Sequence, residues 1–227
     1  MRFIIKILFI IAVFASRPAF ANTPEEKCMK SYKENPPKIN ITYNYGDLKF
    51  DNTKSVAELG EIYKTIFPGK GSSTIHGLTN LEPGVVTGVK TTVTFIDDER
   101  FCIYPEEINI KMSYNPTVYI ANSLEPGSCR FNTTVRHEQT HLDLAHHALY
   151  VLADTLRDAE AEILASVSPI VTDADFDVDK ITKQLTDAYH EKIKDYFDEY
   201  KKITEKYNGI IDSPENYMFE TGLCFNK

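Results

Sequence analysis

Apolar positions along this chain follow two different rhythms, and the change falls near residue 132. Before it they alternate with polar residues. In "KINITYNY" (38–45), Ile39, Ile41, Tyr43 and Tyr45 keep strand periodicity. "GVKTTVTFI" (88–96), "INIKMSY" (108–114) and "TVYIAN" (117–122) read the same way, with a polar turn at 97–100 leading into "FCIY". This block predicts an antiparallel sheet with one polar face. One short helix is predicted at 55–67, where Val56, Leu59, Ile62, Tyr63 and Ile66 share a face. Ser55 and Glu58 fit a capping box, and Pro68-Gly69 stops it. Residues 22–37 are polar, carry three prolines and read as an irregular lead-in; residues 68–88 hold five of the ten glycines and read as loop.

After residue 132 apolar residues recur every three or four positions. There is no Gly or Pro between Asn132 and Pro169, and Asn132 or Thr133 can cap a helix start. A second helix is predicted over 176–207, from the spacing of Ile181, Leu185, Tyr189, Ile193, Tyr196, Tyr200, Ile203 and Tyr207. Asn208-Gly209 reads as its C-terminal cap, and 166–175 as the connection between the helices.

The N-terminus reads as a secretory signal. Arg2 and Lys6 precede an apolar run at 7–15, and Ala19-Phe20-Ala21 gives the small-x-small pattern before a cleavage site after Ala21. The run is shorter than the roughly 20 residues that span a bilayer, so no membrane insertion is expected after cleavage. The expectation is a periplasmic or secreted protein with a signal peptide at 1–21 and a single domain at 22–227. That domain would be mainly β over 22–131 and mainly α over 132–227. The formal charge is −8, and losing the signal makes the mature chain more acidic still. That argues against nucleic acid, whose phosphates need clustered cations.

All four cysteines, Cys28, Cys102, Cys129 and Cys224, follow the signal, so an oxidising compartment and two disulfides are expected. Of the three possible pairings, Cys102–Cys129 and Cys28–Cys224 are favoured. They would bridge the segment before the first long helix and tie the termini together. A tetrathiolate zinc site would need a close C-x-x-C pair, which the sequence lacks.

Candidate chemistry is concentrated in "RHEQTHLDLAHHALYVLADTLRD" (136–158), where four of the six histidines fall within eleven residues. His137-Glu138-Gln139-Thr140-His141 is an HExxH motif. On a helix, residues i and i+4 lie one above the other, so both imidazoles can reach one zinc ion at about 2.0–2.1 Å. Glu138 lies roughly 100° around the helix, beside the metal, where it can act as general base on a zinc-activated water. Leu142, Ala145, Leu149, Leu152, Leu156, Ala159 and Ile163 form an apolar stripe, and Glu138 points within it. A carboxylate on a buried arc is costly unless it is paired or functional. His137 and His141 are therefore the expected Zn²⁺ ligands, Glu138 the expected catalytic residue, and a zincin-like α+β architecture the expected frame. It would comprise an N-terminal antiparallel sheet with one short helix, then two long antiparallel helices.

The third ligand has four candidates. His147 has the spacing of HExxHxxGxxH proteases, but Leu144 replaces the glycine, and on an unbroken helix His147 would lie about 15 Å along the axis from His137. Glu160 lies 19 residues after His141 and resembles the glutamate of aminopeptidase-type enzymes, provided the helix breaks between them. His190, on the second long helix, and His76, in the glycine-rich segment, are the others. Asp143 is a candidate to hold the far nitrogen of an imidazole, or else it belongs to a solvated face.

"RHEQTHLDLA" (136–145) resembles the core of an uncharacterised bacterial family of exported proteins regarded as zinc-dependent proteases. The order of parts is also similar. A "TYNY" strand, a short helix, the cysteine-bearing "RFCIYPEEINIKMSY" and the HExxH helix are followed by a long helix with Tyr200 and Thr204 in a Tyr-x-x-x-Thr segment. The resemblance implies His137 and His141 as zinc ligands and Glu138 as base. Family members often carry His-Gly soon after that threonine; this chain has "EKYNG" instead. The sequence thus predicts a zinc metallopeptidase acting on a peptide or protein substrate. The alternative is a non-enzymatic exported envelope protein with a structural or vestigial metal site.

Overall fold

The computed structural model describes residues 23–69 and 74–224. The signal segment lies outside the described residues. Six helices and five strands follow in the order α1 (Pro24–Glu34), β1 (Lys38–Tyr45), β2 (Lys49–Asp51), α2 (Val56–Ile66), β3 (Gly77–Phe95), β4 (Arg100–Ile120), α3 (Cys129–Asp158), α4 (Glu160–Ala165), β5 (Ile170–Asp173), α5 (Val178–Ile211) and α6 (Pro214–Gly222). No helix among the described residues is long and apolar enough to cross a membrane.

The expected architecture, an N-terminal antiparallel sheet with one short helix and then two long antiparallel helices in a zincin-like frame, is overturned. The protein is α+β with a mixed sheet. β1 and β2 run parallel to β4, whereas β3 and β5 are antiparallel to it. Alternation reveals a strand but not its direction. Here α2 and β3 intervene between β1 and β4, giving the long crossover that a parallel pair requires. The sheet is also not confined to the N-terminal part: α1 precedes it, and β5 returns to it between α4 and α5.

β4 organises the sheet. One edge pairs with β3 along its whole length, and the other pairs in succession with β5, β1 and β2. Both prolines of β4 stand at joints of this second edge. Pro105 lies between the β5 and β1 pairings and Pro116 between those of β1 and β2. A residue without an N–H is tolerated where no ladder bond is needed. Beside Pro105 the β3–β4 register shifts, leaving Glu106 as an exposed extra residue, a β-bulge.

Two segments expected to be irregular are regular. Residues 24–34 form α1, because Thr23 and Glu26 make a reciprocal capping box and Pro24 sits at a helix N-terminus, where its missing N–H costs nothing. The glycine-rich stretch holds the first half of β3. Among the described residues β3 pairs only with β4, and an edge strand accommodates Pro83 and Gly84.

The main core lies where α3, α4 and α5 pack on β4. Ile108, Ile110 and Met112 meet Leu149, Leu152, Leu156, Ile163, Tyr189 and Ile193, all essentially buried. A second cluster joins Val118 and Ile120 to Leu142 and so fixes the N-terminal half of α3 over one end of the sheet. α3 and α5 pass in opposite senses. Thr155 meets Tyr200, His141 meets Asn208 and His137 meets Asp212.

The disulfides are Cys28–Cys102 and Cys129–Cys224, not the favoured Cys102–Cys129 and Cys28–Cys224. α1 docks on the start of β4, burying Cys28 and Cys102 with Tyr32 and Tyr104. α6 folds back onto the N-terminal turn of α3 and brings Cys224 to Cys129. The first described helix is therefore bridged to β4 and the last to α3, rather than to each other.

Candidate metal centre

His137, Glu138 and His141 sit on α3, two turns past its N-cap, where Ser128 accepts from the Phe131 N–H. All three are buried although polar, His137 and Glu138 at 3 % exposure and His141 at 8 %. Leu142, Ala145, Leu149, Leu152 and Leu156 on the same helix are buried against the sheet, and this apolar stripe turns Glu138 inward.

The third donor is Asp212, a residue the sequence patterns do not single out. Its Oδ1 lies 3.2 Å from His137 Nε2 and 3.1 Å from His141 Nε2, and the two Nε2 atoms are 3.3 Å apart. Among the described residues these three form one group able to hold a metal ion. Two donors at tetrahedral angles on a zinc ion, each about 2.0–2.1 Å away, stand about 3.3 Å from each other. The far nitrogens complete the case for a cation. His137 Nδ1 donates to Glu220 Oε2 at 2.8 Å, and His141 Nδ1 donates to Asn208 Oδ1 at 2.8 Å. With both Nδ1 atoms protonated, the two Nε2 lone pairs and the carboxylate face one another. Such a set can close either on a cation or on protons shared with Asp212. The residues present fit zinc.

The carriers of these groups arise from helix ends. α5 does not stop at Asn208-Gly209; it runs to Ile211, with Asp212 as its C-cap. Gly209 is helical without positive φ. The extra turn places Asn208 and Asp212 over the two histidines. Ser213 then caps α6 with Pro214 in its first turn, so the chain reverses at once and returns Tyr217 and Glu220 to the site. The Tyr217 ring stacks on His137 at 4.7 Å, and its hydroxyl donates to Asp212 Oδ1 at 3.4 Å.

Glu138 is held by β3. Thr79 Oγ1 donates to Glu138 Oε2 at 2.7 Å. Gly77 passes so close that a Cβ there would overlap Glu138 Oε1 and come within 2.6 Å of Thr134 Cγ2. Burial holds the Glu138 carboxyl above its usual range, with the imidazoles and Thr79 opposing in part. Burial pulls His137 and His141 down, but hydrogen bonding to Asp212 and the neighbouring carboxylates more than offset it, so both rise. Burial would lift Asp212, yet its two imidazole partners hold it well below the usual carboxylate range. Burial also raises the Tyr217 phenol, which keeps its proton. Glu138, His137, Gly77 and Tyr217 line one wall of a cavity of about 210 Å³.

None of the four expected third ligands joins the group. His147 is exposed on unbroken α3, and its neighbour His146 packs its ring on Tyr45. α3 does break, at Ala159, but Glu160 starts α4 as an exposed residue. His190 Nδ1 faces Thr87 Oγ1 at 3.3 Å. His76 lines the cavity, with its Nε2 turned to Arg130. Asp143 accepts from Gln139 on the solvent face, away from either imidazole.

Comparison of the chain with protein-family models, with curated proteins and with solved structures gives no match.

Proposed function

We propose that the protein is a zinc-dependent metallopeptidase that works after export, with His137, His141 and Asp212 holding the metal and Glu138 as general base. The observation that carries this reading is the placement of a buried carboxylate, committed to no cation, beside a His-His-Asp donor set and facing a cavity. A purely structural site has no use for Glu138, whose burial is costly and whose position demands a glycine at 77. Zinc supplies Lewis acidity, acidifying a water molecule and polarising a carbonyl.

The chain's own residues do the rest. Glu138, lifted by burial towards the working pH, takes a proton from water and returns it to the leaving amine. Thr79 fixes the carboxylate rotamer through its hydrogen bond to Oε2. Tyr217 stays protonated and lines the same cavity, so its hydroxyl, on leaving its long contact with Asp212, serves as donor to the oxygen on which charge develops. Glu220 and Asn208 hold the imidazole rings in the tautomer with Nε2 free. The resemblance of residues 136–145 to exported HExxH proteins supports the same assignment.

Metal content of the purified mature protein, with cleavage of an unstructured protein such as casein, tests the proposal. One equivalent of zinc and a chelator-sensitive activity restored by zinc are expected. Glu138→Gln should keep the zinc and lose the activity. Zinc well below one equivalent with no uptake on addition, or a Glu138→Gln variant as active as the parent, overturns it.

A further inference from the structure

Two turns N-terminal to His137 on the same face of α3, Arg130 lines the cavity that holds Glu138 and Tyr217. Arg130 lies seven positions before His137, about 10 Å along the axis, or about three residues of extended peptide. The two acids on the cavity wall are already engaged, Glu138 with Thr79 and Glu220 with His137. Among the described residues Arg130 has no carboxylate in ion-pair range; its polar side-chain contact is with His76, guanidinium Nη2 to Nε2 at 3.5 Å.

That partner is informative. A carboxylate at this place would fix the guanidinium but neutralise it. An imidazole accepts from it at a lone pair and leaves the positive charge whole. His76 suits this role because burial first, and then Arg130 itself, hold it below its ordinary value, so it stays neutral. Its Nδ1 is buried without a hydrogen-bond partner, so among the described residues the contact with Arg130 is the ring's polar one. The remaining wall is uncharged, formed by Ile75 and threonines 74, 133, 134 and 221. In a chain of net charge −8, the exposed Arg130 therefore brings to the cavity a cation without an ion-pair partner among the described residues, about three residues from the donor set.

We infer that Arg130, positioned by His76, forms a carboxylate-reading subsite, so that the preferred substrate is a peptide with an anionic group within about three residues of the cleaved bond. This rests on the peptidase reading for the word substrate, but the subsite itself does not. A guanidinium matches a carboxylate in shape and charge, and the pairing is geometrically selective. The anion is either the C-terminal carboxylate of a short peptide or an Asp or Glu side chain.

Calorimetric titration of the metal-free mature protein separates the possibilities. The probes are N-acetyl-alanyl-alanine, its C-terminal amide, and N-acetyl-glutamyl-alanine amide. Using metal-free protein prevents the carboxylate from binding through zinc. The subsite predicts that at least one acidic probe binds about tenfold or more tightly than the neutral amide. Which one does so identifies a terminal or a side-chain anion. Arg130→Gln should erase the difference, Arg130→Lys should recover part of it, and Arg157→Gln, which removes the same charge from the far end of α3, should leave it intact. Equal binding of acid and amide by the parent, or a preference that survives Arg130→Gln, overturns the inference. In zinc-loaded protein the same preference should appear in KM for matched peptides. Selective, Arg130-dependent binding without any cleavage would sink the peptidase reading and leave the subsite standing.

Discussion

Glu220 Oε2 lies 2.8 Å from His137 Nδ1, 83 residues away in sequence, and so sets which nitrogen of His137 faces the metal position. Its side chain is only 15 % exposed, so water cannot readily take its place. Glu220→Ala should lower zinc affinity about 10–100-fold, as loss of an outer hydrogen-bond partner does elsewhere. Competition with a zinc-binding dye measures this. An unchanged affinity would mean that Glu220 is an ion-pair ornament.

Asp212 should matter more than Glu220, and three of the alternative ligands, His147, Glu160 and His190, should not matter. Asp212→Ala is expected to weaken zinc binding by more than the same roughly 10–100-fold. His147→Ala, Glu160→Ala and His190→Ala should bind zinc like the parent, since none approaches the donor set. Stoichiometry by atomic absorption on the five proteins decides it. Full zinc retention in Asp212→Ala would displace Asp212 from the site.

Gly77 is dictated by close approach rather than by backbone conformation, because its φ is not positive. A methyl group there must push aside Glu138 and Thr134. Gly77→Ala should cost about 1–3 kcal/mol in unfolding free energy, the usual range for overpacking, and should reduce activity with zinc still bound. Denaturant unfolding and peptide cleavage read the two effects separately. A variant as stable and active as the parent would contradict the packing described.

The pH dependence of stability should reverse sign with metal. In metal-free protein the raised His137 and His141 contribute stability that is full below the ordinary imidazole value of 6.5 and is lost as pH rises through their folded values. Glu138, also raised, adds to that loss as pH climbs above its ordinary value of 4.5. Asp212, depressed, contributes above 3.8 and loses its share only as pH falls through its lowered value. Melting temperature without metal should therefore be highest on the acid side and fall as pH rises above about 6.5. With zinc the proton competition disappears as pH rises, so melting temperature should climb over the same interval. Thermal scans in chelator and in zinc test this; parallel curves would mean that the cluster binds no metal.

Some local signals were legible, although the Thr23–Glu26 box that begins α1 lies in the segment expected to be irregular and α3 is capped by Ser128 rather than by Asn132 or Thr133. The Ser55–Glu58 box begins α2, alternation marks β1, and the HExxH spacing places two imidazoles within 3.3 Å. What failed was long-range or context-dependent. Asn208-Gly209 looks like a stop, yet α5 continues because its true cap is Asp212, and Ser213-Pro214 immediately nucleates another helix. That Asp-Ser-Pro run was the available clue to the carboxylate that joins the two imidazoles. His141 and Asp212 are 71 residues apart, and no periodicity encodes such a contact. Strand direction and disulfide partners were illegible for the same reason, since both depend on how crossovers place distant segments. The first half of β3 was hidden by glycines and a proline that only an edge position tolerates.

Helix α6 buries no residue of its own, although Tyr217 and Glu220 both project from it. Besides those two contacts, what anchors it is the sulfur bridge between Cys224 and the exposed Cys129. With the thiols reduced, this arm would be held by the stacked Tyr217 ring, the Glu220–His137 contact and hydrogen bonds from Tyr217 to Asp212 and from Asn216 to the Ile211 carbonyl. The bridge therefore reaches beyond its own two sulfurs, because it secures the arm from which Tyr217 and Glu220 meet His137.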